Sequence, residues 1–131
     1  MKAAFVVCAA GAALAASLLL SSGASAQFGG RPATLPQQGG EAIYKGVCQD
    51  CHMPDARGAV GAGMYPALAN SSKLETAGYP VAVVIHGQKA MPAFGDAFTD
   101  QQIADVVNFV RTHFGNNYTD QVTPADVKSA R

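Results

Sequence analysis

The chain has 131 residues, and its nine basic and nine acidic side chains give a formal charge of zero at pH 7. The lack of a basic surplus argues against nucleic acid as a partner. A chain of this length makes one small domain, and such a domain buries a limited core unless a bound group adds apolar volume.

The first 26 residues have the pattern of an export signal. A basic second residue is followed by an uncharged apolar run from Ala3 to Leu20, and an A-x-A site ends at Ala26. We therefore predict a cleaved signal peptide over residues 1–26 and a periplasmic location for the mature protein. The alternative is a retained membrane anchor, since the apolar run is close to the shortest membrane span. Cys8 lies in this segment, which leaves two cysteines in the mature chain.

The next two stretches are a lead-in and a helix. Residues 27–40 are rich in glycine and proline and lack hydrophobic periodicity, so we predict a flexible lead-in. Glu41 to Gln49 is predicted to be the first helix, because its apolar residues are four apart and an acid lies in its first turn. Gly46 weakens this helix by itself, and its presence is explained if another helix crosses closely at that point.

The motif Cys48-Gln49-Asp50-Cys51-His52 is C-x-x-C-H, the attachment sequence of a c-type haem. The two thiols, about one helical turn apart, can add to the two vinyl groups of one porphyrin, and the next residue offers an imidazole to the iron. A zinc site would need a second ligand pair, and a thioredoxin-type redox pair would need a βαβ surround. A simple disulfide is the third alternative, and it would leave the histidine without a role.

A loop and a second helix follow the motif. Residues 53–70 contain too many glycines and prolines for long regular structure, and a short helical turn through Leu74 is predicted after them. The second helix is predicted from Tyr79 to Ile85, with Pro80 as its first residue and Gly87 closing it. Its β-branched run is also typical of a strand. We favour the helix because no partner strand is evident.

The loop over residues 88–98 contains a candidate for the second iron ligand. Met91 precedes Pro92, which disfavours the helical conformation and leaves an extended loop that can point a thioether inward. The alternative for Met91 is an ordinary core methionine.

Three other side chains compete with this candidate. Met53 follows the proximal histidine too closely to reach the opposite face, and Met64 is expected on the histidine side. His86 would give a bis-histidine haem, but it is more simply explained as a partly exposed side chain or a propionate contact.

Residues 99–114 carry the strongest helix pattern in the chain. Thr99 and Gln102 predict a capping box at its start, and Gly115 is expected to end it. His113 is interpreted as structural, because a cation suits the end of a helix. The apolar stripe has helical spacing and comprises Ile103, Val106, Val107, Val110 and Phe114.

Three features together indicate a family. C-x-x-C-H near the start, M-P-A-F at residues 91–94 and I-A-D-V-V-N-F-V-R-T at residues 103–112 resemble class I c-type cytochromes. The chain looks like the small monohaem cytochromes, and the cytochrome subunits, that take electrons from periplasmic dehydrogenases, including membrane-bound alcohol dehydrogenases. The cytochrome c domain is accordingly placed at residues 41–115. Residues 116–131 are predicted to form an extension that is longer than the tail of minimal class I cytochromes, with a short helix starting at Thr123.

The resemblance implies an all-α fold, the small cytochrome c fold. Three to five helices surround one covalently bound haem c, and the N- and C-terminal helices cross. Cys48 and Cys51 would form the thioether bonds, and His52 and Met91 would be the axial ligands of the iron. The carbonyl of Pro66 would accept a hydrogen bond from the proximal histidine. The glycine and the aromatic residue at the helix crossing would be Gly46 and Phe109.

The functional prediction is an electron carrier rather than an enzyme. With both axial positions filled, single electrons would pass from a periplasmic dehydrogenase to a terminal oxidase or another cytochrome. The chain can also be a fixed electron-transfer subunit of a dehydrogenase complex. The alternative class is a haem enzyme, or a sensor of gas or peroxide, with a labile distal methionine. Membrane contact is expected only if the signal segment is retained. Lys45, Lys73 and Lys89 are docking candidates, although nearby aspartates favour ordinary surface lysines.

Overall fold

The computed structural model describes residues 34–61 and 63–131 of the chain. The predicted signal peptide and the first residues of the lead-in lie outside these ranges. Four helices and one short hairpin form the regular structure of the described part, and none of these helices is long and apolar enough to cross a membrane. This helical architecture, with little strand, is consistent with the predicted small cytochrome c fold.

The first helix begins as an α-helix at Gly40–Ile43, continues as a π-helix over Tyr44–Cys48 and ends as an α-helix at Gln49–His52. It starts one residue before the predicted Glu41 and ends three residues after the predicted Gln49. The whole C-x-x-C-H motif is therefore helical. The π-helical segment, a feature that is frequent at functional sites, contains the first cysteine of the motif.

The second helix spans Gly78–His86, and a 3-10 turn at Ser72–Leu74 precedes it. As predicted, it ends at Gly87, whose φ of 71° suits glycine. Pro80 is the third helical residue rather than the first, but it still lies in the first turn, where its missing N–H breaks no helical hydrogen bond. The strand alternative for this apolar run is wrong.

The third helix spans Asp100–Thr112. The Gln102 backbone N–H donates to the hydroxyl of Thr99 at 3.2 Å, and the Gln102 side-chain oxygen accepts from the Thr99 N–H at 2.9 Å. These two bonds confirm the predicted capping box. The helix ends before the predicted Phe114, whose φ of 58° lies in the left-handed region, so the chain turns ahead of Gly115.

A short antiparallel hairpin pairs Ala59–Val60 with Met64–Tyr65. The sequence analysis predicted only a loop here, because strands of two residues are too short to show an alternating pattern. Gly58 permits the close return of the second strand, since an added Cβ would overlap the carbonyl oxygen of Tyr65. The hairpin thus sets the start of the segment that leads to Pro66.

The first and third helices make a tight contact at Gly40. A Cβ added to Gly40 would overlap the carbonyl oxygen of Asp105 and lie 2.5 Å from Cβ of Phe109. The sequence analysis placed this close approach at Gly46. At Gly46, however, an added Cβ would meet the side chain of Gln37 at 3.0 Å. The prediction is therefore corrected: the tight contact is at the start of the first helix, not in its middle.

The described part of the lead-in is held against the third helix. The side-chain nitrogen of Gln102 donates to the carbonyl oxygens of Leu35 and Gln37, at 2.7 and 2.8 Å. The backbone N–H of Leu35 also donates to Ala97. The prediction of a flexible lead-in over residues 27–40 is therefore wrong for the residues from 35 onward.

The hydrophobic core is built by the first three helices and continues under the fourth, Pro124–Ser129. The helix follows Thr123, where the sequence predicted its start, and a second capping box, formed by Thr123 and Asp126, begins it. The extension is packed against the domain, because Val122 and Val127 are both buried. Asn108 of the third helix makes two hydrogen bonds with the backbone of Val122, at 2.8 and 2.9 Å.

Candidate haem site

The cysteines and the histidine of the motif line a cavity of about 490 Å³. This volume is in the range of ligand and cofactor pockets, which are mostly apolar. The segment after the hairpin and the loop that contains Met91 close two of its sides. The second and third helices supply an apolar wall that comprises Val83, Val84, Val106, Val107 and Val110.

His52 has a fixed orientation at the end of the first helix. Its side chain is 7% exposed, and its Nδ1 lies 2.9 Å from the carbonyl oxygen of Pro66. Because a carbonyl oxygen can only accept, Nδ1 is the donor, and in the neutral imidazole Nε2 then keeps its lone pair. A neutral imidazole with a free Nε2 is the form that binds a metal. This contact is the one that the family resemblance implied for Pro66.

Tyr44 supports the same region, a role that the sequence analysis missed. Its ring packs on Phe109 and Phe114, with centroids 5.8 and 4.8 Å away. Its hydroxyl donates to the carbonyl oxygen of Met53 at 2.7 Å, and burial raises the pKa of Tyr44 to about 12, which keeps the hydroxyl protonated. Met53 follows His52 and has a left-handed φ of 67°. Tyr44 therefore holds the backbone turn next to the candidate ligand.

The two thiols of the motif are half-buried and are not joined to each other, contrary to the disulfide alternative. Burial raises the pKa of the Cys48 thiol to about 12, and the nearby Cys51 contributes to the same shift. The zinc alternative gains no support, because no group of three or more His, Cys, Asp and Glu side chains within residues 34–61 and 63–131 could hold a metal ion.

Met91 lines the same cavity as His52, from the loop between the second and third helices. A tight turn holds it, because the backbone N–H groups of Gln88 and Met91 each donate to the other residue's carbonyl oxygen at 3.0 Å. Lys89 has a left-handed φ of 55° in this turn. Gly87 allows the loop to fold back, since an added Cβ would lie 2.6 Å from the carbonyl oxygen of Met91. The turn thereby keeps Met91 in the cavity wall.

The competing ligands are less well placed. His86 is exposed, lies outside the cavity lining, and has its Nε2 3.3 Å from the carbonyl oxygen of Ala130. His113 stacks on Phe109, with ring centroids 4.1 Å apart, and its Nδ1 donates to the Phe109 carbonyl oxygen at 2.9 Å. Met64 lines the cavity but is 74% exposed. Met91 is the less exposed of the two methionines that line the cavity.

Exposed side chains surround the opening of the cavity. Two of them are the basic residues Lys73 and Lys89. The third lysine considered in the sequence, Lys45, is instead paired with Glu41 at 2.6 Å. Three large exposed residues also line the opening, namely Met64, Tyr65 and Tyr79. The sequence could not separate these lysines, because their position relative to the cavity depends on the folded loops.

Residues 36–110 match the protein family described as subunit III of cbb3-type cytochrome c oxidase. The chain belongs to this family of c-type cytochrome domains. The family implies haem c as the cofactor, and the cavity fits such a group. It offers two thiols at the required spacing, an imidazole with a free Nε2, a thioether and apolar walls for the porphyrin.

Similar proteins are cytochrome subunits of dehydrogenases. The cytochrome c subunit of the quinone alcohol dehydrogenase from Gluconacetobacter polyoxogenes is 36% identical over 115 residues, which covers 78% of this chain and 24% of the relative. The gluconate 2-dehydrogenase cytochrome c subunit of Pantoea cypripedii is 35% identical over 112 residues, covering 72% and 24%. The fructose dehydrogenase cytochrome subunit of Gluconobacter japonicus is 34% identical over 95 residues, covering 59% and 19%. The match therefore spans about a quarter or less of the length of these relatives.

Proposed function

We propose that this cytochrome carries single electrons in the periplasm, with one haem c bound covalently through Cys48 and Cys51 and ligated axially by His52 and Met91. One observation carries the proposal: both thiols and both candidate axial ligands line one apolar cavity. Haem iron supplies a one-electron redox couple when bound, and thioether ligation favours its reduced state.

The residues of the chain keep this couple in a closed, apolar setting. The carbonyl oxygen of Pro66 accepts from Nδ1 of His52, so that Nε2 would be the nitrogen that binds the iron. The turn between Gln88 and Met91 presents the thioether from the loop. The valine-rich wall from the second and third helices excludes water, which disfavours the more highly charged oxidised state.

A dehydrogenase is the proposed electron donor, and an oxidase or another cytochrome is the proposed acceptor. The donor is inferred from the dehydrogenase subunits to which the chain is similar. Partners would dock over the cavity opening, where Lys73 and Lys89 flank exposed apolar side chains. Charges at the edge of an interface mainly increase the rate of association. Stable membership of a dehydrogenase complex is the second form of this proposal, supported by relatives that are named as subunits of dehydrogenases.

The test is spectroscopic and uses the protein produced with its haem. We expect one haem per chain that stays attached under denaturing conditions, a thioether-to-iron absorption band in the oxidised form, and a reduced spectrum that CO does not change. Met91→Ala should lose the band and bind CO. Met64→Ala, which removes the other methionine that lines the cavity, should behave like the parent protein.

Two results would contradict the proposal. Rapid CO binding by the parent protein at neutral pH would favour the alternative of an enzyme or sensor with an open distal side. A Met91→Ala variant with the parent spectrum would show that another residue is the sixth ligand.

A further inference from the structure

Met91 lies in the loop between the second and third helices, hereafter the Met91 loop (residues 87–99). Arg131 makes hydrogen bonds at the end of this loop. The guanidinium of Arg131 donates to the carbonyl oxygen of Phe98 at 3.0 Å and to that of Gly95. Its Nε donates to the carboxylate of Asp100 at 2.6 Å. The extension therefore touches the segment that follows Met91.

The carbonyls that Arg131 binds lie where the loop returns to the second helix. The backbone N–H of Phe94 donates to Val84 at 2.9 Å, and that of Gly95 donates to Ile85 at 3.1 Å. A Cβ added to Gly95 would lie 2.9 Å from the Ile85 carbonyl oxygen and 3.4 Å from the Arg131 guanidinium. The loop is thus held between the second helix on one side and Arg131 on the other.

The extension that contains Arg131 is fixed to the rest of the domain by buried and paired side chains. Val127, one helical turn earlier, is fully buried. Upstream, the buried guanidinium of Arg111 is paired with Asp120 at 2.7 Å. The carbonyl oxygen of Ala130 accepts from Nε2 of His86, 3.3 Å away, at the other end of the Met91 loop. The extension therefore contacts the loop where it leaves the second helix and where it reaches the third.

We propose that Arg131 is a positioning residue for the distal iron ligand. By joining Gly95, Phe98 and Asp100, it keeps the Met91 loop closed and the thioether in the cavity. The inference rests on the proposed function, because it requires Met91 as a ligand. The charge-assisted hydrogen bonds of Arg131, which is partly exposed, must break before the Met91 loop opens. Their loss should therefore raise the fraction of molecules with an open loop about tenfold.

Imidazole is a suitable probe, because it binds oxidised haem only when the thioether has left. Its apparent dissociation constant is inversely proportional to the open population. In the haem-loaded protein, Arg131→Gln should lower this constant about tenfold, measured by loss of the thioether-to-iron band. Lys128→Gln, which removes the same charge from the fourth helix, should leave it unchanged. Arg131→Lys, with its charge but fewer donors, should be intermediate.

The outcomes separate the two proposals. If the parent protein has no thioether-to-iron band, the proposed ligation fails and this inference fails with it. If the parent has the band and Arg131→Gln keeps the parent affinity for imidazole, only the inference is refuted. An equal change in Lys128→Gln would also refute it, since the effect would then come from charge alone. Asp100→Asn removes the charge of one partner of Arg131, and a smaller change in the same direction is expected even if Arg131→Gln folds poorly.

Discussion

Replacing Gly40 by alanine tests the contact between the first and third helices. The added Cβ would overlap the backbone carbonyl oxygen of Asp105 and lie 2.5 Å from Cβ of Phe109. Neither atom can rotate away, because one belongs to the helix backbone and the other is attached directly to it. The two helices must therefore separate by roughly 1 Å to restore ordinary van der Waals distances.

The size of the effect follows from two opposing terms. Overpacking of a core contact costs about 1–3 kcal/mol, and the rigidity of both neighbours places this site in the upper part of that range. Alanine gains at most about 1 kcal/mol over glycine in a helix interior, and Gly40 is the first helical residue, where the gain is smaller. We expect Gly40→Ala to lower the free energy of unfolding by about 2 kcal/mol.

Gly46→Ala makes the same chemical change in the same helix and is the matched control. Its added Cβ would meet Cγ and Nε2 of the Gln37 side chain, both at 3.0 Å, and a flexible side chain can move aside. The helix-propensity gain then decides the sign, so we expect the free energy of unfolding to stay unchanged or to rise by up to about 1 kcal/mol.

Guanidinium unfolding of the haem-loaded protein, followed by far-UV circular dichroism, measures both variants. Gly40→Ala should have a lower midpoint with an unchanged slope, which identifies a change in stability rather than in the extent of unfolding. The reverse order, with Gly46→Ala destabilised and Gly40→Ala unaffected, would show that the helices meet at Gly46, as the sequence alone suggested, and the reasoning would be wrong.

Three further substitutions test individual side-chain contacts, the first two in the same guanidinium unfolding assay and the third by acid unfolding. Tyr44→Phe removes the hydrogen bond to Met53 and should cost about 1 kcal/mol; no loss would mean that the bond is not formed. Arg111→Leu leaves the carbonyl oxygens of Leu74 and Glu75 without the guanidinium that donates to them at 2.9 and 3.0 Å and should cost about 3 kcal/mol, whereas a neutral result would refute the role of that guanidinium. The hydrogen bond from Arg111 lowers the pKa of Asp120 below its ordinary 3.8. The Asp120 carboxylate therefore stabilises the fold above pH 3.8, and this contribution is lost as the pH falls through the lowered pKa. Asp120→Asn should therefore have a shallower loss of stability below about pH 4, and an acid-unfolding curve parallel to that of the parent would contradict this.

Features that depend on neighbouring residues were predictable from the sequence. The capping box of Thr99 and Gln102 joins residues three positions apart, and Gly87 ends its helix through its own backbone freedom. The C-x-x-C-H motif places its thiols and imidazole by the helical repeat alone. In such cases the chain within one turn contains all the information that the structure uses.

Features that depend on distant segments were not predictable. Gly40 and Gly46 are both compatible with a helix crossing, and only the position of the third helix distinguishes them. Leu35 was assigned to a flexible lead-in because its hydrogen-bond donor, Gln102, lies in another helix. The role of Tyr44 was missed, since its hydrogen bond to the carbonyl oxygen of Met53 depends on a left-handed turn that no local sequence pattern indicates.

Contacts far from the cavity can affect the cavity, because the third helix takes part in all of them. Its cavity-lining valines, Val106 and Val110, are four residues apart and share one face. Phe109 lies on a second face, against the first helix. Asn108 and Arg111 lie three apart on a third face and hold the extension. Because all three faces belong to one helix, a shift of this helix against the first helix or the extension also shifts the valine wall. The haem pocket, the helix contact and the extension are therefore mechanically one unit, although the sequence shows them as three separate stretches.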